Sequence, residues 1–207
     1  MSQILDAHQL TLKQVQQDLQ MQANFVPDLS QYLTLEPLTQ TEALHNLQHL
    51  AESYYLSGRL LEGQVKLLLV SPLLWLAGFY TPEIEILLEE KIAEIYLEDQ
   101  DIVIRGRMDI LALSRTPNLP NFWILLIETK NAAIDTSAGL PQLLTYGSTG
   151  LTHQNTIWGL VTNGIDYQFV QLQGGEPKSY RVFPKLSLLY LAQAEQVLQV
   201  LQALVTV

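Results

Sequence analysis

The chain has 207 residues, of which 48% are hydrophobic and only 15% are charged. This composition excludes an intrinsically disordered chain, because disorder requires low hydrophobicity and high charge. The length fits one large domain, which can bury a sizeable core without disulfides or a structural metal. The chain contains no cysteine, so disulfides, thiolate metal sites and cysteine nucleophiles are impossible.

Charge and hydropathy restrict the location and the partners that we expect. Lys and Arg total 11 against 21 acids, a net charge of −10, which argues against a broad electrostatic footprint for nucleic acid. Seven of the eleven bases fall within residues 59–130, so a polyanion site is expected in the middle of the chain. The start has no apolar signal region, and the most apolar run, residues 67–80, is too short to span a membrane. We therefore expect a cytoplasmic protein with no membrane partner.

The first part of the chain is predicted to be helical. Apolar residues recur at helical spacing in residues 10–21, and a second helix is expected from Thr39 or Thr41 to Ser57-Gly58. Residues 1–56 are therefore predicted to form a helical N-terminal extension, and residues 57–207 the main domain. A further helix is expected from Leu60 to a point before Pro72.

Strand patterns begin after residue 83 and then alternate with helices. Residues 91–97 and 102–113 are predicted to form a hairpin around a turn at 99–101, and 115–121 a loop. Residues 122–130 read as a central strand that is buried on both faces. A helix is predicted from about 138, with Pro141 in its first turn. Strands are predicted at 156–161 and 167–172 around a tight Asn163-Gly164 turn. An edge strand at 180–183 and a final helix at 191–204 follow. This order indicates an α+β or mixed α/β fold class.

Three residues on the middle strands suggest metal-assisted chemistry. Glu128 and Lys130 project to the same side of their strand, about 6.5–7 Å apart, and Asp109 can meet both if the strands are neighbours. Two carboxylates are suitable ligands for Mg²⁺, which polarises a phosphodiester and lowers the pKa of an attacking water. Lys130 can position that water or stabilise the charge of the transition state.

Sequence context distinguishes this Glu-x-Lys triplet from two others in the chain. The triplet at residues 89–91 lacks a preceding strand that bears an acid, and the triplet at 176–178 lies in a Gly-Gly-Pro loop. Only the triplet at 128–130 ends an apolar strand and follows an Asp-bearing strand. Asp109, Glu128 and Lys130 are therefore the predicted catalytic residues.

These motifs resemble the PD-(D/E)xK nuclease superfamily, the restriction-endonuclease-like fold. The resemblance covers residues 59–183 and is strongest to the N-terminal nuclease domain of type I restriction enzyme R subunits and to RecB-type nucleases. It rests on three motifs, which are Gly106-Arg107-Met108-Asp109, Ile127-Glu128-Thr129-Lys130 and Gln142-x-x-x-Tyr146. It implies a mixed β-sheet flanked by helices, DNA as substrate, and Mg²⁺ or Mn²⁺ held by the aspartate and the glutamate. Met108 replaces the proline of the family's name.

The resemblance also implies supporting residues on two helices. Glu62 matches an acid that many members carry on the first core helix, where it would be a further metal ligand. Gln142 and Tyr146, one helical turn apart, match a pair near the active site and the DNA backbone. Arg107, which lies in the aspartate motif, is expected to meet phosphate.

Structural roles for the same residues remain open. Asp109 and Glu128 can form ion pairs with Arg107 and Lys130, and Glu62 can pair with Lys66 one turn later. Gln142 can be solvated and Tyr146 half-buried, and Arg105 and Arg107 can pair with local acids such as Glu94 and Glu98. The alternative function is a catalytically silent nuclease-fold protein that serves as a DNA-binding or scaffold subunit of a larger restriction or repair complex. The helical extension and the many apolar residues also suggest a homodimer.

Overall fold

The computed structural model describes residues 3–39, 41–58, 60–92, 94–97, 102–115 and 122–206. The turn predicted at 99–101 and most of the loop predicted at 115–121 lie outside these residues. The strands in the described ranges are β1 (Gln3–Asp6), β2 (Met21–Phe25), β3 (Ile84–Lys91), β4 (Ile95–Leu97), β5 (Ile102–Arg105), β6 (Arg107–Ser114), β7 (Phe122–Thr129), β8 (Thr156–Thr162), β9 (Asp166–Gln173), β10 (Lys178–Val182) and β11 (Leu186–Ser187).

The α-helices surround these strands and are joined in one place by a π-helical turn, Val65–Val70. Short 3₁₀ turns occur at Ala7–Gln9 and Thr136–Gly139. The α-helices are α1 (Leu12–Asp18), α2 (Thr41–Ser57), α3 (Glu62–Gln64), α4 (Ser71–Ala77), α5 (Leu140–Gly150) and α6 (Leu191–Val205). None of the described helices is long and apolar enough to cross a membrane.

The strands form one large mixed sheet and one small sheet. The large sheet has the order β2-β10-β9-β8-β7-β6-β3, with β11 also paired to β9. Strands β7 and β8 are parallel, as are β2 and β10, and the other neighbours are antiparallel. The small sheet has the order β1-β5-β4. The predicted mixed α/β class, with a large mixed sheet flanked by helices, is confirmed.

Two hydrophobic cores lie on opposite sides of the large sheet. One joins the sheet to α2, α4 and α6 through residues such as Leu44, Leu73 and Leu198. The other joins it to α1 and α5 through residues such as Val15 and Leu143. Strand β7 supplies both cores, because its side chains alternate between the two faces.

The N-terminal segment is not wholly helical, which corrects the prediction for residues 1–56. Helix α1 is capped by Thr11, whose side chain accepts a hydrogen bond from the Gln14 amide, and the left-handed Gln20 follows it. The chain then enters β2, which pairs in parallel with β10, while β1 pairs in parallel with β5. Both partners are far away in sequence, so local periodicity cannot reveal them. Strand β10 is consequently not an edge strand, because β2 covers it.

The predicted strand at 102–113 is divided at Gly106 into β5 and β6, which belong to different sheets. A Cβ atom at Gly106 would lie 2.7 Å from the Tyr146 ring, so only glycine lets the chain pass this side chain. The predicted hairpin is formed by β4 and β5, whereas β6 pairs with β3. Arg105 and Asp109 therefore do not share one continuous strand.

The helical run of residues 62–77 continues through Pro72, where an end was predicted. The π-helical turn joins the Ser71 amide to the Lys66 carbonyl oxygen, and Pro72 stands in the first turn of α4. Pro72 has no amide hydrogen, and it lies just after the π-helical turn, where the regular α-helical hydrogen-bond ladder is already interrupted. The run ends at Gly78, which is left-handed.

Candidate functional site

The predicted catalytic residues lie together where β6 and β7 meet α5. The antiparallel register pairs Ile110 of β6 with Ile127 of β7, so Asp109 and Glu128 occupy adjoining positions one step further along. Lys130 directly follows β7, and Gln142 and Tyr146 lie on α5. Helix α5 packs against both β7 and β8, which are parallel neighbours at the centre of the sheet.

Glu128 is a buried carboxyl group with one oxygen unpaired. Its side chain is 2% exposed, and its Oε1 atom accepts a hydrogen bond of 2.6 Å from Lys130 Nζ. Its Oε2 atom is buried and has no hydrogen-bond partner within the described part of the chain. Burial, followed by the nearby charge of Asp109, raises the pKa of Glu128 to about 8, although Lys130 opposes this shift. An unpaired buried oxygen is costly, and such a group in a folded protein calls for a specific explanation.

Asp109 is held by both its oxygens. Oδ2 accepts hydrogen bonds from the amide and the hydroxyl of Thr129, each at 2.7 Å. Oδ1 accepts a hydrogen bond of 2.8 Å from Lys66 Nζ, which is also 2.7 Å from Glu89. Burial lowers the pKa of Lys66, but the hydrogen bonds to Asp109 and Glu89 outweigh it and leave that pKa raised. Lys66 is therefore charged and compensates the negative charge of Asp109.

Lys130 connects the carboxyl groups to α5. Its Nζ atom donates to Gln142 Oε1 at 2.6 Å, and Gln142 Nε2 donates to the Tyr146 hydroxyl at 3.3 Å. Tyr146 is 1% exposed, and burial raises its pKa to about 12, so its hydroxyl stays protonated. The structure brings Gln142 and Tyr146 to Lys130, and Tyr146 is buried rather than half-buried.

Glu62 and Arg107 lie at the periphery of the cluster. Glu62 begins α3 and is 3.4 Å from Lys66, so the ordinary helical ion pair is present. Its charge nevertheless contributes to the raised pKa of Glu128. Arg107 is exposed at the start of β6 and lines a cavity of about 510 Å³ together with Gln142. Arg105 pairs with Glu94 at 2.7 Å, as the local-acid interpretation predicts, whereas Glu98 lies outside the described residues.

The fit of a divalent metal rests on Asp109 and Glu128. Across the described residues, no three His, Cys, Asp or Glu side chains are grouped so that they could hold a metal ion. Glu62 is therefore not gathered with the two carboxylates into such a group. Two carboxylates still suit Mg²⁺, which takes one or two of them and completes its shell with water and phosphate. The unpaired Glu128 Oε2 is the oxygen that fits this use.

Three residues that shape the site are not among those predicted from sequence. Lys66 and Thr129 hold Asp109, and Gly139 lets the turn before α5 approach Glu128. A Cβ atom at Gly139 would lie 2.5 Å from Val161 Cγ1 and 3.1 Å from Glu128 Cγ. The available signals are the position of Lys66 one turn after Glu62 and the position of Thr129 between Glu128 and Lys130.

No protein-family model matches the chain, and a search of curated proteins finds no significant match. The geometry of the cluster is thus the evidence for its chemistry. It offers two adjacent buried carboxyl groups, a lysine hydrogen-bonded to one of them, and an amide and a phenol behind that lysine.

Proposed function

We propose that the protein is a Mg²⁺- or Mn²⁺-dependent nuclease of the PD-(D/E)xK kind that hydrolyses phosphodiester bonds in DNA. The observation that carries this proposal is the buried, unpaired Oε2 of Glu128 next to Asp109 and Lys130. Asp109 and Glu128 would hold the metal, which when bound supplies a Lewis acid for the phosphate and for water. Burial and, after it, the charge of Asp109 raise the pKa of Glu128, and a bound cation would offset both effects.

Lys130 is the residue that acts on the reacting atoms in this proposal. An ammonium group has three N–H donors, and Glu128 and Gln142 take two of them. No other described residue accepts from this group, so the third can orient a water molecule or donate to a phosphate oxygen as its charge grows. Gln142 is a positioning residue, because it fixes the lysine and is itself fixed by Tyr146.

Thr129 and Lys66 prepare Asp109 for its role. The two hydrogen bonds from Thr129 fix the orientation of the carboxylate, and the Lys66 ammonium compensates its charge before a cation binds. The orientation set by Thr129 reduces the reorganisation that binding requires, whereas Lys66 must release Oδ1 if that oxygen is to bind the metal.

The test is a cleavage assay with Mg²⁺ and with Mn²⁺ on single-stranded, duplex and branched DNA. We expect Lys130→Ala to lower the cleavage rate by about 10²–10³-fold, the loss typical when a transition-state donor is removed. Thermal shift with Mn²⁺ should show that Lys130→Ala still binds metal and that Asp109→Asn does not. The matched control is Lys13→Ala, which removes an exposed lysine of α1 that has no ion pair with any described residue. Unchanged cleavage by Lys130→Ala would refute the role given to Lys130.

The second candidate is a catalytically silent member of the same fold that binds DNA or serves as a scaffold. The observation that favours it is the ion pair between Lys66 and Asp109 Oδ1, which occupies one predicted metal ligand. Its partners would be a larger restriction or repair complex or a second copy of the chain. Absence of cleavage by the wild type, together with retained DNA binding, would support this candidate over the enzyme.

A further inference from the structure

A cavity of about 510 Å³ adjoins the site and is lined largely by charged side chains. It lies between the ends of β1 and β3 and the junction of β5 and β6, and it reaches the catalytic cluster through Gln142. Its lining includes three cationic side chains and two carboxylates, an excess of positive charge that contrasts with the net charge of the chain, −10. Its polar lining residues include Asp6, Lys91, Glu94, Arg105, Arg107 and Gln142.

Two of these cations are neighbours that form no ion pair among the described residues. Arg105 binds Glu94 at 2.7 Å, and Asp6 binds His8 at 2.7 Å. Lys91 and Arg107, by contrast, have no ion pair with any described residue, and they are direct cross-strand partners in β3 and β6. Like charges directly opposite each other destabilise a sheet. An anion that bridges the two cations would remove this repulsion, and phosphate is well suited to arginine and lysine donors.

A second cavity, of about 550 Å³, neighbours the first and is more apolar. The two share Lys91, Ile92 and Glu94 as lining residues. The second cavity is also lined by the aromatic side chains of Tyr96 and Trp123, and Tyr96 is 64% exposed. Exposed aromatic rings beside basic groups are the arrangement on which unpaired bases stack while the backbone phosphates are bound.

Building on the proposed nuclease function, we infer that the two cavities together bind one unpaired nucleotide of single-stranded DNA next to the catalytic cluster. Lys91 and Arg107 bind its phosphate, and the cavity of Tyr96 and Trp123 receives its base. The cavity of about 550 Å³ proposed for the base lies within the range of about 300–1,000 Å³ that holds groups of small-molecule size. A base in a duplex is stacked and paired and enters such a cavity only after it is flipped out, at a cost of a few kcal/mol. The site therefore selects single strands over duplexes.

The experiment measures binding of fluorescently labelled DNA by anisotropy in EDTA, so that cleavage does not interfere. The probes are a single-stranded oligothymidine and a blunt duplex of equal length. We expect the single strand to bind at least about tenfold more tightly, given the cost of unpairing a base. Lys91→Gln and Arg107→Gln should each weaken single-strand binding and lower the salt slope by about 1, the effect of one lost phosphate contact. Tyr96→Ala should weaken it by about five- to hundredfold, the effect of one lost base stack.

Lys13→Gln is the matched control, because Lys13 is an exposed lysine on α1 that lines neither cavity. Equal affinity for single strand and duplex, no binding of either probe, or unchanged binding by Lys91→Gln and Arg107→Gln would overturn the inference. The two proposals fail separately. Cleavage that depends on Asp109, but not on Lys91 and Arg107, would support the nuclease proposal and contradict the nucleotide site. Selective single-strand binding without cleavage in Mg²⁺ or Mn²⁺ would support the nucleotide site and contradict the nuclease.

Discussion

At the scale of single residues, Glu128 combines deep burial with an unpaired oxygen, a combination that weakens the fold. A carboxyl group with 2% exposure is desolvated, and Asp109 adds a second negative charge beside it. Lys130 offsets only part of this cost, since the pKa of Glu128 remains raised to about 8. Such a cost is characteristic of functional sites, where stability is given up for a group that binds or reacts.

This raised pKa predicts a pH dependence of stability that Glu128→Gln removes. Between the ordinary value of 4.5 and about 8, the folded protein binds one proton more at Glu128 than the unfolded chain does. Stability is therefore lost as the pH rises through this window, by an amount on the order of a few kcal/mol. Urea unfolding of both proteins at pH 5, 6.5 and 8 measures the difference. Glutamine keeps an oxygen that can accept the hydrogen bond from Lys130. The titration of Glu128 is therefore measured by how the slope of the free energy of unfolding against pH differs between the two proteins, not by their absolute stabilities. Parallel pH profiles would contradict the prediction.

At the scale of elements, the approach of α5 to β7 and β8 depends on the turn before the helix. Gly139 ends the 3₁₀ turn, and its position leaves no room for a side chain between Val161 and Glu128. The same turn is fixed by Asp135, whose carboxylate accepts a hydrogen bond from the Ser137 amide at 2.9 Å. The two ends of the site, Glu128 on β7 and Gln142 on α5, are thus held together by this turn.

We expect Gly139→Ala to destabilise the protein by about 1–3 kcal/mol, since overpacking forces neighbouring atoms apart. The added methyl group would lie 2.5 Å from Val161 Cγ1 and would also press on Glu128. Gly63→Ala is the matched control, because a Cβ atom at Gly63, which is in α3, would have no neighbour within 4 Å among the described residues. The control should raise stability by about 0.5–1 kcal/mol, owing to the better helix propensity of alanine. Thermal or urea unfolding of the two variants measures both effects. If Gly139→Ala is as stable as Gly63→Ala, the turn can move to accept a side chain and the prediction is wrong.

The elements that the sequence predicts well are those with local signals. Pro141 marks the first turn of α5, Asn163-Gly164 marks the turn between β8 and β9, and the apolar run at 122–130 marks β7. Strands β1 and β2 carry no such signal, because their hydrogen-bonding partners lie on β5 and β10. The split at Gly106 is equally invisible, since it depends on Tyr146 arriving from α5.

In the candidate site too, contacts between residues close in sequence are predicted, and contacts between distant residues are not. Glu128 and Lys130 lie two residues apart on a strand, so alternation places them together, and their hydrogen bond confirms this. The partner of Asp109 Oδ1 is Lys66, which lies 43 residues earlier in the chain, so this contact has no local signal. The sequence predicts only the pairing of Lys66 with Glu62, which is one of its three ion pairs within the described residues.

At the scale of the whole molecule, residues from the predicted extension lie in the same cores as the strands that carry Asp109 and Glu128. Val26, Leu44 and Ala51 belong to the core that includes Trp158 and Leu198. Ala7 and Val15 belong to the other core, next to Tyr146 and Leu126. A shared core couples the unfolding of the segments that contribute to it. The boundary at residue 56 remains a prediction, and unfolding experiments test it.

Leu44→Ala and Leu56→Ala on helix α2 provide that test. Leu44 is fully buried in the core, whereas Leu56 is 83% exposed, so the two substitutions delete the same atoms from opposite environments. Leu44→Ala should cost about 2–5 kcal/mol, and Leu56→Ala should remain within about 0.5 kcal/mol of the wild type. If residues 1–56 unfold together with the rest, tryptophan fluorescence and far-UV circular dichroism will give one coincident, shifted transition for Leu44→Ala. The tryptophans all lie beyond residue 56. A fluorescence transition that Leu44→Ala leaves in place would instead show that the extension folds separately from the domain that carries Asp109, Glu128 and Lys130.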